Sequence, residues 1–277
     1  HSKSAYRAAL LRFFVWWENS YKQPFNRAAV QAYRSYMEAS LKGRVTINIA
    51  MSSLKKFAFE CAENGLIDQG TEASIARVKG VKLLGKPAGN WLTAEQAEKL
   101  LEQPDKFTPK GVRDRAILGV LLGCGLRRDE CAHLALESIQ ERDGRPCIVD
   151  LEGKGKRIRT VPMPEWTLRR LRTWLAMTDI VSGPVFVSLD QHGNPGESIT
   201  GYGIHWIVTE YARQLGFDVS PHDMRRTFAR LARTGGGEID QIQFSLGHAS
   251  VKTTEIYLGM LQDLKNAPCD RLGLSVL

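Results

Sequence analysis

Two arginines, two histidines and a tyrosine in the second half of the chain have the types and the order needed for chemistry at a phosphodiester. They occur in the segments Gly125-Leu126-Arg127, His222-Asp223-Met224-Arg225 and Leu246-Gly247-His248, and Tyr257 follows the last of these. Guanidinium groups bind phosphate oxygens through paired hydrogen bonds, and an imidazole exchanges protons near neutral pH. A phenol oxygen becomes a nucleophile when a neighbouring base removes its proton. These side chains could therefore hold a phosphodiester while Tyr257 attacks it.

Each of these residues also has an ordinary structural interpretation. A histidine and an arginine in the first turns of a helix are more often solvated than catalytic. The charged run that begins at Arg127 is typical of a helix start, and a tyrosine at the position of Tyr257 is typical of a half-buried core residue. Taken singly, the residues leave both interpretations open.

The helix that carries His222 and Arg225 has a well-marked beginning. Ser220 is placed to cap it, Pro221 takes the first helical position, and Asp223 supplies an acid in the first turn. This start places His222 and Arg225 one turn apart on the same helix face. The free N–H groups of a helix N-terminus favour a bound phosphate. The pattern therefore predicts a phosphate-binding helix end.

The rest of the chain after residue 93 predicts mostly helix with one small antiparallel sheet. Capping residues and apolar periodicity predict further helices that begin near Thr93, Gly111, Arg128, Pro164 and Thr200. The helix that begins at Arg128 is predicted to reach about Leu136. Strand-like segments occur at Ile139, 147–151, 158–161 and 185–187. A basic turn at 153–156 places Lys154 between two glycines, with Lys156 beside it.

Residues 1–84 predict a small helical bundle. Apolar residues recur at helical spacing from Tyr6 to Trp17, Asn26 is placed to cap a second helix, and a third helix begins near Thr46 and ends at Asn64. Glycines, lysines and a proline follow without helical periodicity. We therefore predict a first domain over 1–84, a linker over 85–92 and a second domain over 93–277.

The positive charge of the chain is concentrated in this first domain. Residues 1–84 contain 13 Lys+Arg against 6 Asp+Glu, whereas residues 85–277 contain 25 against 24. The skew is consistent with a polyanionic partner, most simply DNA bound through its phosphates, and equally with a merely solvated basic surface. Lys55 and Lys56 lie on the polar face of the third predicted helix, where they either contact phosphates or are solvated.

Composition argues against a membrane protein and against a disulfide-stabilised one. The longest apolar run, 116–122, is far too short to cross a bilayer. Five scattered cysteines without a Cys-x-x-Cys pair indicate reduced thiols in a cytoplasmic protein, and nothing in the sequence predicts a metal or another cofactor. Because the chain starts at His1 without a methionine, we expect that a segment precedes it.

Taken together, the segments resemble the motifs of the tyrosine recombinase (phage integrase) family. Gly-Leu-Arg, a glycine-flanked lysine, His-x-x-Arg and Leu-Gly-His followed by Thr-Thr-x-x-Tyr occur in the family's order, and the resemblance covers residues 93–277. One departure is Arg226, where many relatives have a histidine. The resemblance implies a helical (SAM-like) core-binding bundle and a mixed α+β catalytic domain, which form a C-shaped clamp on DNA.

The resemblance also implies a role for each residue in breaking and rejoining DNA strands through a 3′-phosphotyrosine, without metal or ATP. Arg127, Arg225 and His248 would stabilise the charge on the phosphate oxygens, and Glu130 would orient Arg127 or a histidine. His222 would accept the proton of the nucleophile. The remaining two catalytic residues are Lys154, which would protonate the 5′ oxygen, and Tyr257, the nucleophile.

The implied partner is double-stranded DNA containing a recombination site, in the cytoplasm at the nucleoid. Family members bind as a dimer on each site and as a tetramer when two sites are paired, and whether Tyr257 acts in its own subunit or in a neighbour stays open. Further DNA contacts are predicted at Lys156, Arg157 and Arg226. We expect integration, excision or resolution of a mobile element or replicon.

Two other functions compete with recombination. Type IB topoisomerases share the catalytic residues but relax supercoils as monomers, whereas the basic first domain and the short chain favour a recombinase. A catalytically idle DNA-binding accessory protein could keep the same fold. The intact set of six catalytic residues argues against that second alternative.

Overall fold

The computed structural model describes residues 2–82, 90–153, 157–248 and Thr254. It divides into two compact units, His1–Pro87 and Ala88–Leu277, which are called the first and second units below. Three residues of the predicted site, namely Lys154, Lys156 and Tyr257, lie outside the described residues.

All regular structure in the described residues of the first unit, 2–82, is helical. Its elements are α1 (Ser2–Trp16), a π-helical turn (Trp17–Tyr21), α2 (Arg27–Ala39), α3 (Arg44–Glu63) and α4 (Gln69–Ala76). Asn26 caps α2 as predicted, since its side-chain oxygen accepts the Ala29 N–H at 3.1 Å. Helix α4 was not predicted; it is only eight residues long and begins after Asp68, whose carboxylate accepts the Thr71 N–H at 2.9 Å.

A cluster of aromatic rings forms the core of the first unit. Phe13 is fully buried and its ring centroid lies 5.1 Å from that of Tyr33 on α2 and 5.9 Å from that of Trp16. Ala9, Phe13 and Trp16 form the buried face of α1. Three of the apolar residues predicted to be buried, Leu10, Phe14 and Trp17, are only half-buried, so the buried face is rotated from the predicted one. Aromatic residues on both sides of the helix made the predicted face ambiguous.

The second unit combines seven described α-helices with two small antiparallel sheets. The helices are α5 (Ala94–Glu102), α6 (Pro109–Gly123), α7 (Arg128–Ala132), α8 (Glu165–Leu175), α9 (Gly201–Gln214), α10 (Pro221–Thr234) and α11 (Ile239–Leu246). The strands are β1 (Ile139–Arg142), β2 (Arg145–Glu152), β3 (Ile158–Pro162), β4 (Val187–Leu189) and β5 (Pro195–Ser198). Strands β1, β2 and β3 pair in that order, and β4 pairs with β5 as a separate hairpin.

Helix α6 lies at the centre of the second unit, and every residue from Val112 to Leu122 except Arg115 is buried. It packs against α8 so closely that a Cβ on Gly123 would lie 2.2 Å from the Thr167 hydroxyl oxygen. Such packing fixes the end of α6 and hence the start of the following loop, which carries Arg127. Among the described helices, none has both the length and the apolar character that a membrane span requires.

Two predictions for the second unit were wrong in detail. Helix α7 ends at Ala132 instead of continuing to Leu136, because the chain there pairs with a distant segment: the Leu134 carbonyl accepts the Val185 N–H at 2.9 Å. The strand predicted at 185–187 begins only at Val187, because the Val185 N–H donates to the Leu134 carbonyl and the Phe186 carbonyl accepts the Ile199 N–H at 3.0 Å, outside the β4–β5 ladder. Tertiary pairing overrides local pattern in both places.

The described residues on either side of 83–89 pack within their own units. Val78 is buried in the first unit, where the side chain of Asn48 both accepts the Val81 N–H at 2.8 Å and donates to the Val81 carbonyl at 3.0 Å. Leu92 is buried in the second unit and its N–H donates to the Thr227 hydroxyl at 2.9 Å. Residues 90–92, assigned to the linker in the sequence analysis, thus make contacts within the second unit.

Candidate active site

Helix α10 begins as predicted and presents both of its candidate residues. The Asp223 carboxylate accepts the Ser220 N–H at 3.0 Å and the Ser220 hydroxyl at 2.6 Å, which closes the first turn as a capping box. His222 is exposed in this turn, whereas only 1% of Arg225, one turn further, is exposed. The helix therefore carries an exposed imidazole at His222 and, one turn later, a buried guanidinium at Arg225.

Arg225 joins the two other segments that carry candidate residues. Its Nη1 donates to the Gly125 carbonyl at 2.6 Å, and its Nη2 donates to the Leu246 carbonyl. Gly125 lies two residues before Arg127, and Leu246 lies two residues before His248. One buried side chain thus fixes both the Arg127 loop and the end of α11 against α10.

Arg127 occupies the N-cap position of α7, and its side chain is 31% exposed. The turn before it requires Gly125, which has a φ of +60° and where a Cβ would lie 2.7 Å from the Phe228 ring. The adjacent Arg128 is more exposed, at 40%, and approaches Asp129 at 3.5 Å. Arg127 is the less exposed of the two, although both line the cleft described below.

Glu130 orients Arg127, which is one of the two alternatives predicted for it. Its carboxylate accepts the Arg127 N–H at 2.9 Å and the Arg127 Nη1 at 2.6 Å. It also accepts both terminal nitrogens of Arg159, at 3.1 and 2.8 Å. Burial alone would raise the pKa of Glu130, but the hydrogen bonds and charges of Arg159 and Arg127 lower it to about 2. Glu130 is therefore a carboxylate at neutral pH.

Arg159 was missed by the sequence analysis. It lies on β3 on the same face as the fully buried Val161, because alternate residues of a strand share a face, and its side chain is only 8% exposed. A charged residue on the buried face of a strand needs a buried partner of opposite charge. The strand alternation that buries Arg159 was readable from the sequence, but nothing in the sequence identified Glu130 as its partner.

His248 lies directly after the left-handed turn that ends α11. Gly247 has a φ of +61°, and a Cβ there would lie 2.9 Å from Cδ of Arg159, so both backbone and packing require glycine. His248 Nδ1 lies 3.0 Å from the hydroxyl oxygen of Thr254, which is fully buried. Desolvation, followed by the charges of Arg225, Arg127 and Arg159, lowers the pKa of His248 to about 4, so its ring is neutral at pH 7.

A cationic cleft of about 360 Å³ brings three of the predicted residues together. Its lining comprises Arg127, Arg128, Asp129, His205, Ser220, Pro221, His222 and Arg225. Partial desolvation lowers the pKa of His222, and the charges of Arg226, Arg225 and Arg127 lower it further against the opposing effect of Asp223. His205, which comes from α9, was not predicted; no motif in the sequence singled it out.

The predicted DNA-contact residues have simpler surroundings. Arg157 is exposed, and its carbonyl accepts the Gly153 N–H at 2.7 Å, which closes the base of the β2–β3 hairpin. Arg226 approaches Asp223 at 3.5 Å. In the first unit, Lys56 is exposed and pairs with Glu60 at 2.7 Å, while Lys55 is half-buried.

Comparison with known proteins agrees with the family that the sequence motifs resemble. Residues 90–262 match the family model described as the Phage integrase family. The chain is 32% identical to the tyrosine recombinase XerC of Thermodesulfovibrio yellowstonii, with 96% of this chain and 87% of that protein covered. It is 31% identical to XerD of Pseudomonas aeruginosa, with 95% and 89% covered.

Solved structures with a similar fold include two determined with DNA. The XerH recombinase bound to a palindromic difH substrate gives a TM-score of 0.70 at 20% identity, with 95% of this chain and 76% of that chain covered. The Tn1549 transposon integrase in complex with circular intermediate DNA gives 0.70 at 18% identity, with 98% and 93% covered. At these identities the likeness shows a common fold.

Proposed function

Because the chain belongs to the phage integrase family and is a tyrosine-type site-specific recombinase, we propose that Tyr257 attacks a DNA phosphodiester held by Arg127 and Arg225. The observation that supports this proposal best is the cleft in which Arg127, His222 and Arg225 meet at the N-terminus of α10. Two guanidinium groups and the positive end of the α10 dipole around one cavity favour a phosphate.

The proposed base is His222. A phenol has a pKa near 10, so ionising it at pH 7 costs about 4 kcal/mol unless a base takes the proton during the attack. The lowered pKa of His222 keeps its imidazole neutral at pH 7, and it is exposed in the cleft. A neutral, accessible imidazole is the form that accepts a proton.

The proposed step exchanges one phosphodiester for another. The bond between the Tyr257 oxygen and phosphorus forms, the bond from phosphorus to the 5′ oxygen breaks, and Lys154 donates a proton to that leaving oxygen. The non-bridging oxygens gain negative charge in the transition state, and Arg127 and Arg225 stabilise it. Since the phosphotyrosine conserves the bond energy, a 5′ hydroxyl from another strand reverses the step without ATP.

His248 completes the proposed phosphate site as a hydrogen-bond donor. With a pKa of about 4 it is neutral at pH 7, so only one of its ring nitrogens carries a proton. We propose that the Thr254 hydroxyl donates to Nδ1 across their 3.0 Å separation, which leaves the ring proton on Nε2. Thr254 therefore supplies the tautomer in which Nε2 can donate to a non-bridging oxygen.

The proposed partner is a recombination site in double-stranded DNA, with two molecules bound per site and four when two sites are paired at the nucleoid. The net charge of +7 over residues 1–84 supports a role for the first unit in holding the phosphate backbone. Lys55, Lys56, Lys156, Arg157 and Arg226 are proposed as further contacts. The ion pair of Lys56 with Glu60 does not oppose this, because an exposed pair is weak.

Relaxation of supercoils and an idle accessory role are not favoured. Neither function would explain why the chain is similar to Xer recombinases over nearly its whole length. The integration, excision or resolution of a mobile element or replicon is the proposed biological outcome.

Trapping on nicked DNA tests the proposed reaction. A randomised pool of nicked duplexes, first enriched for binding to the purified protein, loses a short fragment on cleavage and so cannot be religated. We expect a covalent protein–DNA band on a denaturing gel that Tyr257→Phe abolishes while DNA binding is retained. A wild-type protein that binds the enriched duplexes and never forms the band would overturn the proposal.

A further inference from the structure

We infer that Arg159 is a positioning residue for strand cleavage, which holds three site-bearing segments in one arrangement without contacting DNA. This inference rests on the proposed function. Arg159 donates to Glu130 through Nη1 and Nη2, at 3.1 and 2.8 Å, and to the Ser245 carbonyl through Nε at 2.9 Å. Its three donor nitrogens thereby link β3 to the start of α7 and to the end of α11.

Burial separates the role of Arg159 from that of a phosphate ligand. Its side chain is 8% exposed and that of Glu130 is 6% exposed, whereas the side chain of Arg127 is 31% exposed. Arg159 is also absent from the described residues that line the cleft. Any effect of Arg159 on the reaction must therefore pass through its neighbours.

The first neighbour is Arg127, which shares the Glu130 carboxylate with Arg159. Oε1 of Glu130 accepts Nη1 of Arg127 at 2.6 Å as well as Nη1 of Arg159, and Oε2 accepts the backbone N–H of Arg127 at 2.9 Å. The fork of Arg159 sets the plane of this carboxylate. Without that fork, the carboxylate could rotate to take both terminal nitrogens of Arg127 and withdraw its guanidinium from the cleft.

The second neighbour is the segment that leads to His248. Ser245 lies in the last turn of α11, where carbonyls have no partner within the helix, and Arg159 satisfies its carbonyl at 2.9 Å. The left-handed Gly247 packs directly on the Arg159 side chain, since a Cβ there would lie 2.9 Å from Cδ. Arg159 therefore fixes the exit of α11, from which His248 follows immediately.

The third neighbour is the base of the β2–β3 hairpin. A Cβ on Gly153 would lie 2.9 Å from Nη1 of Arg159, 3.4 Å from Oε1 of Glu130 and 3.5 Å from Nη1 of Arg127. The backbone at Gly153 thus packs on the shared ion cluster. Lys154, the proposed proton donor, is the next residue in the chain.

The second unit contains a matched control for this cluster. The side chain of Arg113 is 7% exposed and donates to Asp114 through Nε at 3.0 Å and Nη2 at 2.8 Å, and to the Val187 carbonyl through Nη1 at 3.1 Å. Arg113 therefore has nearly the same burial, two hydrogen bonds to a carboxylate, both of them to Oδ1 of Asp114, and one carbonyl partner. It contacts none of the predicted catalytic residues in these bonds.

The test compares Arg159→Lys, Arg159→Gln and Arg113→Lys under DNA saturation. Lysine keeps the charge but cannot form the fork. We expect both Arg159 variants to lower the single-turnover rate of covalent adduct formation on the nicked duplexes by about 100-fold, as displacement of a catalytic group by about 1 Å does. The Kd for the same duplexes should change less than about twofold, and Arg113→Lys should keep the wild-type rate in its folded fraction.

Two results would overturn the inference. Arg159→Lys could cleave at the wild-type rate, which would show that only charge matters, or Arg113→Lys could lose as much rate as Arg159→Lys, which would show a general loss of stability. An NMR titration adds a measurement that needs no cleavage. Because Arg159 contributes positive charge at His248, Arg159→Gln should raise the pKa of His248 from about 4, whereas Arg113→Lys should not.

Failure of the proposed function gives a different pattern. A wild-type protein without a Tyr257 adduct refutes the cleavage reaction, and with it the effect of Arg159 on cleavage. An unchanged His248 titration in Arg159→Gln refutes the positioning itself, whether or not the wild-type protein cleaves.

Discussion

The core of the first unit and the cluster beneath the cleft of the second unit are held together by different interactions. Around Phe13, stacked and edge-on rings from α1 and α2 exclude water over a compact helical bundle. Around Glu130 and Arg225, ion pairs and hydrogen bonds to carbonyls join segments that are up to 100 residues apart in the chain. Apolar packing tolerates small displacements, whereas bidentate bonds fix angles, so the second region can set catalytic geometry and the first mainly provides stability.

The sharpest test of this difference is Arg225→Lys. Lysine cannot donate to both the Gly125 and the Leu246 carbonyls while also reaching a phosphate. We expect adduct formation on nicked duplexes to fall about 1,000-fold, since loss of one oxyanion donor has an effect of that order. Arg233→Lys on the same helix, which loses one exposed bond to the Gly237 carbonyl, is the control and should keep the wild-type rate. Equal losses in the two variants would contradict the account.

Phe13→Ala tests the apolar core of the first unit. Removing a fully buried ring leaves a cavity in the first unit and should lower the free energy of unfolding of that unit by about 3 to 5 kcal/mol. Hydrogen exchange should report lost protection in α1 and α2 and unchanged protection in α10 and α11. Leu11→Ala, at a position that is 56% exposed on the same helix, should leave both units unchanged. Lost protection that extended to α10 would show that the two regions are not separable.

Glu130→Gln tests the ion cluster through its pH dependence. The folded-state pKa of about 2 lies below the ordinary value of 4.5, so the carboxylate stabilises the fold above pH 4.5 and this contribution is lost as the pH falls to 2. The difference corresponds to about 3 kcal/mol. Wild-type stability, followed by urea unfolding, should therefore fall more steeply than that of Glu130→Gln between pH 4.5 and 2. Parallel curves would show that Glu130 is not held as a buried ion.

Thr254→Val should have the smallest effect. It removes the hydroxyl beside Nδ1 of His248 and leaves the shape of the side chain nearly unchanged. A neutral hydrogen bond contributes about 1 kcal/mol, so the rate of adduct formation should fall about fivefold to tenfold at pH 7. Thr254→Ser keeps the hydroxyl and should restore the rate; if it fails to do so, the proposed tautomer is wrong.

Local signals in the sequence predicted the local features of the structure. Ser220 and Asp223 predicted the start of α10, and Asn26 predicted that of α2, because caps act within a single turn. Arg127, His222, Arg225 and His248 were found through motif order, and the described residues place the first three of them at one cleft. The catalytic roles of all six residues stay predictions, and Lys154 and Tyr257 also lie outside the described residues.

The missed features depend on distant parts of the chain. Helix α7 ends early because Leu134 pairs with Val185, and β5 forms only as a partner of β4. Arg159 acquires its role from Glu130, 29 residues away, and from Ser245, 86 residues away. No window of local sequence contains such a pair, although the strand alternation at Arg159 did indicate that a charge was buried.

The most direct measurement is the identity of the residue that becomes attached to DNA. Wild-type protein trapped on a nicked duplex would be digested with protease and nuclease, and the remaining nucleotide-bearing peptide sequenced by mass spectrometry. The account predicts a 3′-linked nucleotide on Tyr257 and on no other residue. A nucleotide on a different side chain, or one linked through its 5′ end, would contradict it.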